Sequence, residues 1–240
     1  MNNDLLDIIT HFDSLGSDFV VGKRNKIKII PYNTIQLNVK SFKIPSFPLG
    51  VMYRFFRKSK AKRSYEYAQI LKAKGIGTPN PIAFYENKTF FRILDSYYIC
   101  EHLTPDYVFK ELFNVHIEDL ESILRQFTQF TFQLHESGIE FLDHSPGNTL
   151  LKKGENGKYE FYLVDLNRMK FHDNMSFETR MKNFARITPS EAWVKIISSE
   201  YAKLYQKQED EVFQLMWQCN VDFYSKVNFK RKIKILFGIK

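Results

Sequence analysis

Long apolar runs and secretory patterns are missing from this chain of 240 residues. No stretch approaches the roughly 18 apolar residues that a membrane-spanning helix requires. The first residues, MNNDLLDIITHFDS, carry acids and lack the basic-then-apolar pattern of a secretory signal. These absences predict a cytoplasmic protein.

Cysteine is scarce. Cys100 and Cys219 are far apart in sequence, and apolar residues surround both. The pattern favours buried free thiols over a disulfide or a metal site.

Aromatic and basic residues are abundant. The chain contains 23 Phe and 13 Tyr and has a net charge of +8. A basic surface indicates an acidic partner, which could be nucleotide phosphates, an anionic lipid surface or nucleic acid. The hydrophobic content of 44% and the charged content of 26% are typical of a soluble globular protein. The length suits one compact two-lobed unit or two small domains.

The strongest functional pattern lies in residues 138–165, which read GIEFLDHSPGNTLLKKGENGKYEFYLVD. A polar turn carries Asp143 and Asn148, and two short apolar segments then flank the turn 154–157. Apolar segments on both sides of a Gly-rich turn predict a β-hairpin. Its second strand places Asp165 at its end.

The pattern suits phosphoryl transfer, because it combines a carboxylate, an amide five residues later and a second carboxylate after the hairpin. Asp143 would accept the proton of an attacking hydroxyl. Asn148 and Asp165 would hold Mg²⁺ against the phosphates of a nucleotide.

This pattern resembles the catalytic loop and metal-binding motif of the protein-kinase-like superfamily. Residues 134–139, LHESGI, followed by residues 143–148, DHSPGN, are most similar to the bacterial lipopolysaccharide kinase family, which phosphorylates Kdo or heptose of the lipid A core. The resemblance extends from about Phe19 to about Lys170. It implies an α+β, two-lobed fold, with an antiparallel sheet plus one helix in residues 1–102 and a mainly helical lobe in residues 103–240.

The resemblance also implies where ATP would bind. Two strands between Asp18 and Ile30 form a hairpin over the phosphates, with Gly22 in its turn. A third strand, 35–42, carries Lys40 as the phosphate anchor, and Glu66 in a helix from Ser59 to Lys74 is its acidic partner. Two further strands, 81–85 and 91–101, lead to a hinge for adenine at Glu101 to Leu103.

The chain departs from the protein-kinase pattern at several points. A complete G-x-G-x-x-G loop is absent, Phe141-Leu142 stands where protein kinases have His-Arg, and Asp165-Leu166-Asn167 replaces Asp-Phe-Gly. Only 75 residues follow Asp165, and they contain no Ala-Pro-Glu motif. A small or lipid-linked hydroxyl acceptor is therefore favoured over a peptide.

Helical periodicity predicts the main elements of the second lobe. Apolar residues recur at helical spacing between Asp119 and Ser137, and further helices are expected from Pro189 and from Glu209 to Cys219. From Tyr224 onward there is no acid, and six basic residues alternate with apolar ones. Such an end either binds an anionic membrane surface or packs as a terminal helix with a basic outer face.

We therefore expect an ATP- and Mg²⁺-dependent kinase that phosphorylates a sugar hydroxyl, that of Kdo on lipid A, at the cytoplasmic face of the inner membrane. A compact atypical (RIO-like) protein kinase and a nucleotide-binding pseudokinase are the alternatives. A nucleic-acid-binding protein would also explain the charge, but no recognised binding motif is present and no nucleic acid is expected. The sequence leaves the oligomeric state open.

Overall fold

The computed structural model describes residues 3–21, 25–155 and 157–237. The chain divides into two compact units. The first consists of Met1–Thr104 with the short segment Asp165–Arg168, and the second of Pro105–Val164 with Met169–Lys240. The predicted boundary lay after residue 102, so the structural division falls slightly later, and a segment from the middle of the chain joins the N-terminal unit.

An antiparallel sheet forms the centre of the first unit, as predicted. Its order is β1-β2-β3-β5-β4. Strand β3 alternates as the sequence indicates: Leu37 and Val39 are fully buried, and Lys40 faces the other side. The strands are β1 Ser17–Val21, β2 Asn25–Tyr32, β3 Ile35–Phe42, β4 Pro81–Lys88 and β5 Ile93–Glu101.

Helices α1 Asn3–Thr10, α2 Phe47–Phe55 and α3 Lys60–Ala73 accompany this sheet. Helix α3 is the helix that the sequence predicts, and the Ser59 hydroxyl accepts a hydrogen bond from the Lys62 amide at its start, 3.1 Å away. Helices α1 and α2 were not predicted, so the expectation of one helix in this unit is wrong. Helix α1 forms because its apolar face packs into the core of the sheet, at Leu5, Ile8, Ile9, Leu37, Val39 and Ile99.

The second unit is mainly helical and also contains small antiparallel sheets, whose strands lie between Tyr107 and Phe171. Strands β8 and β9 form the predicted hairpin, and β6 pairs with β8. The strands are β6 Tyr107–Val108, β7 Ile139–Phe141, β8 Thr149–Lys153, β9 Tyr159–Leu163 and β10 Met169–Phe171. The helices are α4 Leu120–Glu136, α5 Phe177–Asn183, α6 Glu191–Tyr205 and α7 Glu209–Leu236.

Helix α4 packs into the core of this unit. Its apolar stripe meets residues of α6 and α7, and these buried side chains include Ile123, Leu124, Phe127, Ile197, Tyr201, Val212 and Met216. Helix α5 was not predicted. Helix α7 is much longer than the predicted range, because it continues beyond Cys219 to Leu236.

Gly138 sets the direction of the chain between α4 and β7. Its φ is +71°, in the left-handed region that favours glycine, and a Cβ at this position would clash with the carbonyl oxygen of His172. The Gly138 carbonyl in turn accepts a hydrogen bond from the His172 amide at 2.8 Å. The turn therefore brings β7 beside β10 and directs the chain into the loop at Asp143.

Both cysteines are free thiols, as predicted: Cys100 is buried and Cys219 is half-buried. Among the described helices, none is both long enough and apolar enough to cross a membrane.

Candidate functional site

The loop between β7 and β8, in the second unit, holds Asp143 and Asn148 together. The Asn148 side-chain amide donates to the Asp143 carbonyl at 2.9 Å. Its backbone amide donates to Ser145, also at 2.9 Å, and its carbonyl accepts from Val164 at 3.0 Å. These bonds fix the amide five residues after the carboxylate, and none of them uses the Oδ1 atom of Asn148.

Arg186 holds the Asp143 carboxylate. Its Nη1 atom lies 2.9 Å from Asp143 Oδ1 and 3.1 Å from the Leu142 carbonyl oxygen. The Asp143 side chain is 17% exposed, so solvent reaches the carboxylate from a limited direction. The guanidinium thus restricts Asp143 while leaving the carboxylate accessible.

Helix α7 supports the segment that carries Arg186. The Asn220 amide donates to the carbonyl oxygens of Ala185, at 3.4 Å, and of Thr188, at 2.5 Å. The Arg186 guanidinium also lies over the Phe223 ring, 5.7 Å from its centroid. One helix therefore positions Arg186 through both its backbone and its side chain.

A buried polar network fixes the start of the same loop. The Asn183 amide donates to the Phe141 carbonyl at 2.9 Å, and Asn183 Oδ1 accepts from His135 Nε2 at 3.1 Å. Burial lowers the pKa of His135 to about 3, so its imidazole is neutral and its Nδ1 accepts from the Tyr201 hydroxyl at 2.9 Å. His135 is therefore a structural residue.

His144 is structural as well. It is almost fully buried, and its ring packs near those of Phe127 and Phe141, at centroid distances of 5.5 and 5.9 Å. Burial lowers the pKa of His144 to about 4 and keeps it neutral. Although it follows Asp143 directly, its side chain points into the core.

In the first unit, Lys40 pairs with Asp165. The Lys40 Nζ atom lies 2.6 Å from Asp165 Oδ1, and Asn167 Nδ2 donates to the same oxygen at 2.8 Å. Among the described residues, Asp165 Oδ2 has no hydrogen-bond partner. The backbone of Asp165 is left-handed, with φ at +58°, a conformation that Asp tolerates better than most residues. The chain therefore holds this carboxylate in an uncommon backbone conformation.

Arg63 of α3 anchors the segment that carries Asp165. Its Nη1 atom donates to the Asn167 carbonyl at 2.8 Å, and only 6% of the residue is exposed. Burial lowers the pKa of this guanidinium. Arg63 ends a basic run that starts at Arg54, a pattern that usually indicates a solvated helix face. In the structure it lies instead on the buried side of α3 with Ala61 and Ser64.

The expected pair of Lys40 with Glu66 is replaced by two other pairs. Lys40 reaches Asp165, and Glu66 Oε2 instead accepts from Lys58 Nζ at 2.8 Å. Lys58 lies just before α3, close in sequence to Glu66, and the Glu66 side chain is 27% exposed. The exchange follows because Lys58, eight residues before Glu66, already pairs with the Glu66 carboxylate, and Asp165 pairs with the Lys40 ammonium.

The expected hinge follows β5. The Glu101 amide donates to the Asn80 carbonyl at 2.9 Å, and the His102 amide donates to the Gln36 carbonyl at 2.7 Å. Within the described residues the Leu103 amide has no acceptor, which leaves a backbone donor at the predicted adenine position. The proposed phosphate-loop residue, Gly22, lies outside the described residues.

Asn148 in the second unit and Asp165 in the first each offer a side-chain oxygen, the kind of ligand that Mg²⁺ prefers. Magnesium at a nucleotide is usually held by one or two carboxylates together with phosphate oxygens. The described ranges contain no ready group of three or more His, Cys, Asp or Glu side chains for a metal. The residues therefore fit a metal bound jointly with a nucleotide better than a metal held by protein alone.

Sequence reasoning did not identify Arg186, Asn183, Asn220 or Arg63. Each acts on a loop that is distant in sequence, and Arg186 lies 43 residues from Asp143. A single sequence contains no spacing rule for such pairs. The one available signal was the position of Arg63, which shares the buried face of an otherwise predictable helix.

The chain is similar to known proteins in both sequence and structure. Residues 50–207 match the lipopolysaccharide kinase (Kdo/WaaP) family. No curated protein sequence matches the chain. A solved structure of WaaP in complex with acyl carrier protein has 14% sequence identity and a TM-score of 0.63, over 92% of this chain and 91% of that one. The crystal structure of WbdD has 14% identity and a TM-score of 0.50, over 82% of this chain but only 43% of WbdD. These structural likenesses confirm the predicted protein-kinase-like fold.

Proposed function

The chain belongs to the lipopolysaccharide kinase (Kdo/WaaP) family, and on that premise we propose that it transfers a phosphoryl group from ATP to a hydroxyl of Kdo on lipid A. Membership makes it a phosphotransferase that acts on a sugar of lipopolysaccharide. The observation that carries the finer proposal is the family match over residues 50–207, which includes Asp143, Asn148 and Asp165.

Asp143 accepts the proton of the acceptor hydroxyl. A general base must be ionised, accessible and fixed in direction. The Arg186 contact supports the fixed direction, and the partial exposure of Asp143 supports access. We therefore assign Asp143 as the catalytic base and Arg186 as its positioning residue.

Asn148 and Asp165 serve as the protein ligands of Mg²⁺. When bound, this ion neutralises charge on the nucleotide phosphates. Asn148 contributes its Oδ1 atom, because its amide nitrogen is used within the loop. Asp165 contributes Oδ2, since Oδ1 already accepts from Lys40 and Asn167.

Lys40 supplies a positive charge for the α- and β-phosphates of ATP. The Lys40 side chain is 11% exposed, and Asp165 orients its Nζ atom. Glu66 was expected to be the partner of Lys40; Asp165 takes that place, and Arg63 of α3 holds the segment of Asp165 through the Asn167 carbonyl. The hinge at Glu101 to Leu103, and above all the Leu103 amide, binds the adenine.

The direct test is an assay of the purified protein with ATP, Mg²⁺ and Kdo-lipid A, with mass spectrometry to locate any added phosphate. Phosphate on Kdo supports the proposal. Phosphate on a heptose-containing acceptor instead would keep the family chemistry but change the sugar. Phosphorylation of peptides alone would indicate the protein-kinase alternative, and nucleotide binding without transfer to any of these acceptors would indicate a pseudokinase.

The end of α7 supports a membrane partner. The buried stripe of this helix, Val212, Met216 and Asn220, ends at Asn220, and residues 225–237 are exposed on every side. Phe229, Ile233 and Leu236 follow the spacing i, i+4, i+7 and form one apolar stripe. The same exposed segment also carries basic residues and further apolar ones, and we call it the α7 tail (residues 225–237). Its basic residues are Lys226, Lys230, Arg231, Lys232 and Lys234, and its other exposed apolar residues are Val227, Ile235 and Phe237. We propose that the α7 tail binds the surface of an anionic bilayer.

We expect the triple variant Phe229→Ser, Ile233→Ser, Leu236→Ser to bind anionic vesicles at least about tenfold more weakly, because a buried apolar side chain contributes roughly 1.5 to 3 kcal/mol. Each basic residue near the surface adds about 1 kcal/mol, so binding should also weaken with salt. Cosedimentation with vesicles of phosphatidylcholine, with and without phosphatidylglycerol, measures both effects. Equal binding by the variant and the wild type would contradict a role for the α7 tail.

Arg186 provides a test of how Asp143 is positioned. We expect Arg186→Ala to lower kcat roughly tenfold, the scale of a charged hydrogen bond of about 1.5 kcal/mol, with little change in KM for ATP. Arg186→Lys should recover part of the loss, because a cation is restored without the second bond to Leu142. Steady-state kinetics gives kcat and KM separately.

The control for this test is Arg125→Ala, which removes another arginine of the second unit that pairs with carboxylates, Glu121 and Glu200. A kcat for Arg186→Ala no lower than that of Arg125→Ala would exclude the positioning role.

A further inference from the structure

Acidic residues are absent from a long part of the first unit. Between Asp18 and Glu66 there is no Asp or Glu, whereas the same stretch contains 12 Lys and Arg residues. Several of these cations have partners that account for them, including Lys26, Lys28, Lys40 and Lys58. Within the described residues, no carboxylate pairs with Lys43, Arg54 or Arg57 of this stretch. The same holds for Arg92, which lies outside the stretch, in the turn before β5. These four cations are left to bind an anion outside the chain.

Exposed phenylalanines lie in the same region. Large apolar side chains occur singly on most protein surfaces, but a group of them marks an interaction site. Helix α2 and the turn between β4 and β5 expose such a group, with exposed fractions of 59% for Phe47, 57% for Phe55, 83% for Phe56, 79% for Phe90 and 63% for Phe91.

Packing of α2 on the sheet brings these segments together. Gly50 permits the close approach, because a Cβ at this position would lie 2.9 Å from the Ile93 carbonyl oxygen. The Arg92 guanidinium lies over the Phe47 ring, 5.2 Å from its centroid. Phe90 and Phe91 contact each other, with centroids 4.8 Å apart, and so do Phe55 and Phe56, at 6.5 Å. The five phenylalanines with Lys43, Arg54, Arg57 and Arg92 form what we call the aromatic-basic surface.

We propose that the aromatic-basic surface docks on an anionic lipid bilayer, with its phenylalanines at the acyl boundary and its cations on headgroup phosphates. Exposed Phe next to Lys and Arg is the composition of membrane-surface segments. Neither a second copy of this surface nor the α7 tail can be the partner, because both are basic and the aromatic-basic surface would repel them. The choice of a bilayer over an acidic protein rests on the proposed function, whose acceptor is linked to lipid.

The protruding geometry also favours a bilayer. Phe56 and Phe90 are the most exposed members of the group, so a rigid partner would need a matching pocket for each. A bilayer adapts to isolated protruding rings.

The test measures vesicle binding by the full chain. The variant Phe55→Ser, Phe56→Ser is compared with Phe19→Ser, which removes an exposed Phe of the same unit, 56% exposed, outside the aromatic-basic surface. Binding to vesicles that contain phosphatidylglycerol should weaken about tenfold in the double variant and stay unchanged in the control. The Phe55→Ser, Phe56→Ser substitutions should cause the same loss in a chain whose α7 tail already carries its three serine substitutions.

A charge variant, Arg54→Gln with Arg57→Gln, should weaken binding and reduce its dependence on salt. Thermal unfolding monitored by circular dichroism should be unchanged in all of these surface variants. Wild-type binding by the Phe55→Ser, Phe56→Ser variant would overturn the proposal, as would equal binding of the charge variant and the wild type. Binding of a soluble acidic polypeptide such as polyglutamate, with no binding to vesicles, would indicate a site for an acidic protein instead. The vesicles contain neither lipid A nor ATP, so failure here is distinct from failure of the kinase assay.

Discussion

Substitution of Asp143 by alanine should lower the rate of phosphoryl transfer by about 10² to 10⁴, the usual contribution of a general base. Without this carboxylate, the acceptor hydroxyl has no group to take its proton. The loss should appear in kcat, and ATP binding should change little, because Asp143 is assigned to the acceptor. Single-turnover rates together with binding of a fluorescent ATP analogue would measure the two quantities separately.

Asp173→Ala is the matched control for Asp143→Ala, since Asp173 is an exposed aspartate of the same unit. Turnover by Asp143→Ala at the level of this control would remove the assignment of Asp143 as the base.

Asp165→Asn is expected to reduce turnover by a similar factor, on the order of 10² to 10³. A bound metal contributes several kcal/mol to stabilising charge in phosphoryl transfer, and each 1.4 kcal/mol is tenfold in rate. Unlike Asp143→Ala, this variant should also lose the Mg²⁺ dependence of ATP affinity. A titration of nucleotide binding and of rate with Mg²⁺ tests both expectations.

Asp4→Asn, at an exposed aspartate of α1, is the control in this case.

In the Asp165→Asn variant, the new side chain keeps the size of Asp165 and one acceptor oxygen, so the contact with Lys40 changes in charge more than in shape. If the variant showed the Mg²⁺ dependence of the wild type, the metal would have to be held elsewhere.

Local patterns predicted much of the fold. The alternation of residues in β3, the Gly-rich turn of the β8–β9 hairpin and the periodicity of α4 all depend on neighbours in sequence, and each element is present. Helix α2 was missed because Pro48 and Gly50 indicate a loop. In the structure Pro48 lies in the first turn, where its missing N–H costs nothing, and Gly50 is needed for contact with β5.

The candidate site was predictable as a list of residues but not as a set of contacts. Asp143, Asn148 and Asp165 stand out by their spacing around a hairpin. The partners of two of these carboxylates, Lys40 and Arg186, are fixed by tertiary folding over 125 and 43 residues. Glu66 was assigned to Lys40 from its position in the helix alone, and a closer cation, Lys58, competes for it.

The segment Asp165–Arg168 has a consequence for how the protein is made. This segment completes the first unit, although it is synthesised after residues 105–164. Until it leaves the ribosome, the buried guanidinium of Arg63 lacks the Asn167 carbonyl that satisfies it, and Lys40 lacks Asp165. The N-terminal unit therefore cannot finish folding first, as independent domains do during translation. An isolated fragment of residues 1–104 would remain incomplete, and the two units must mature together.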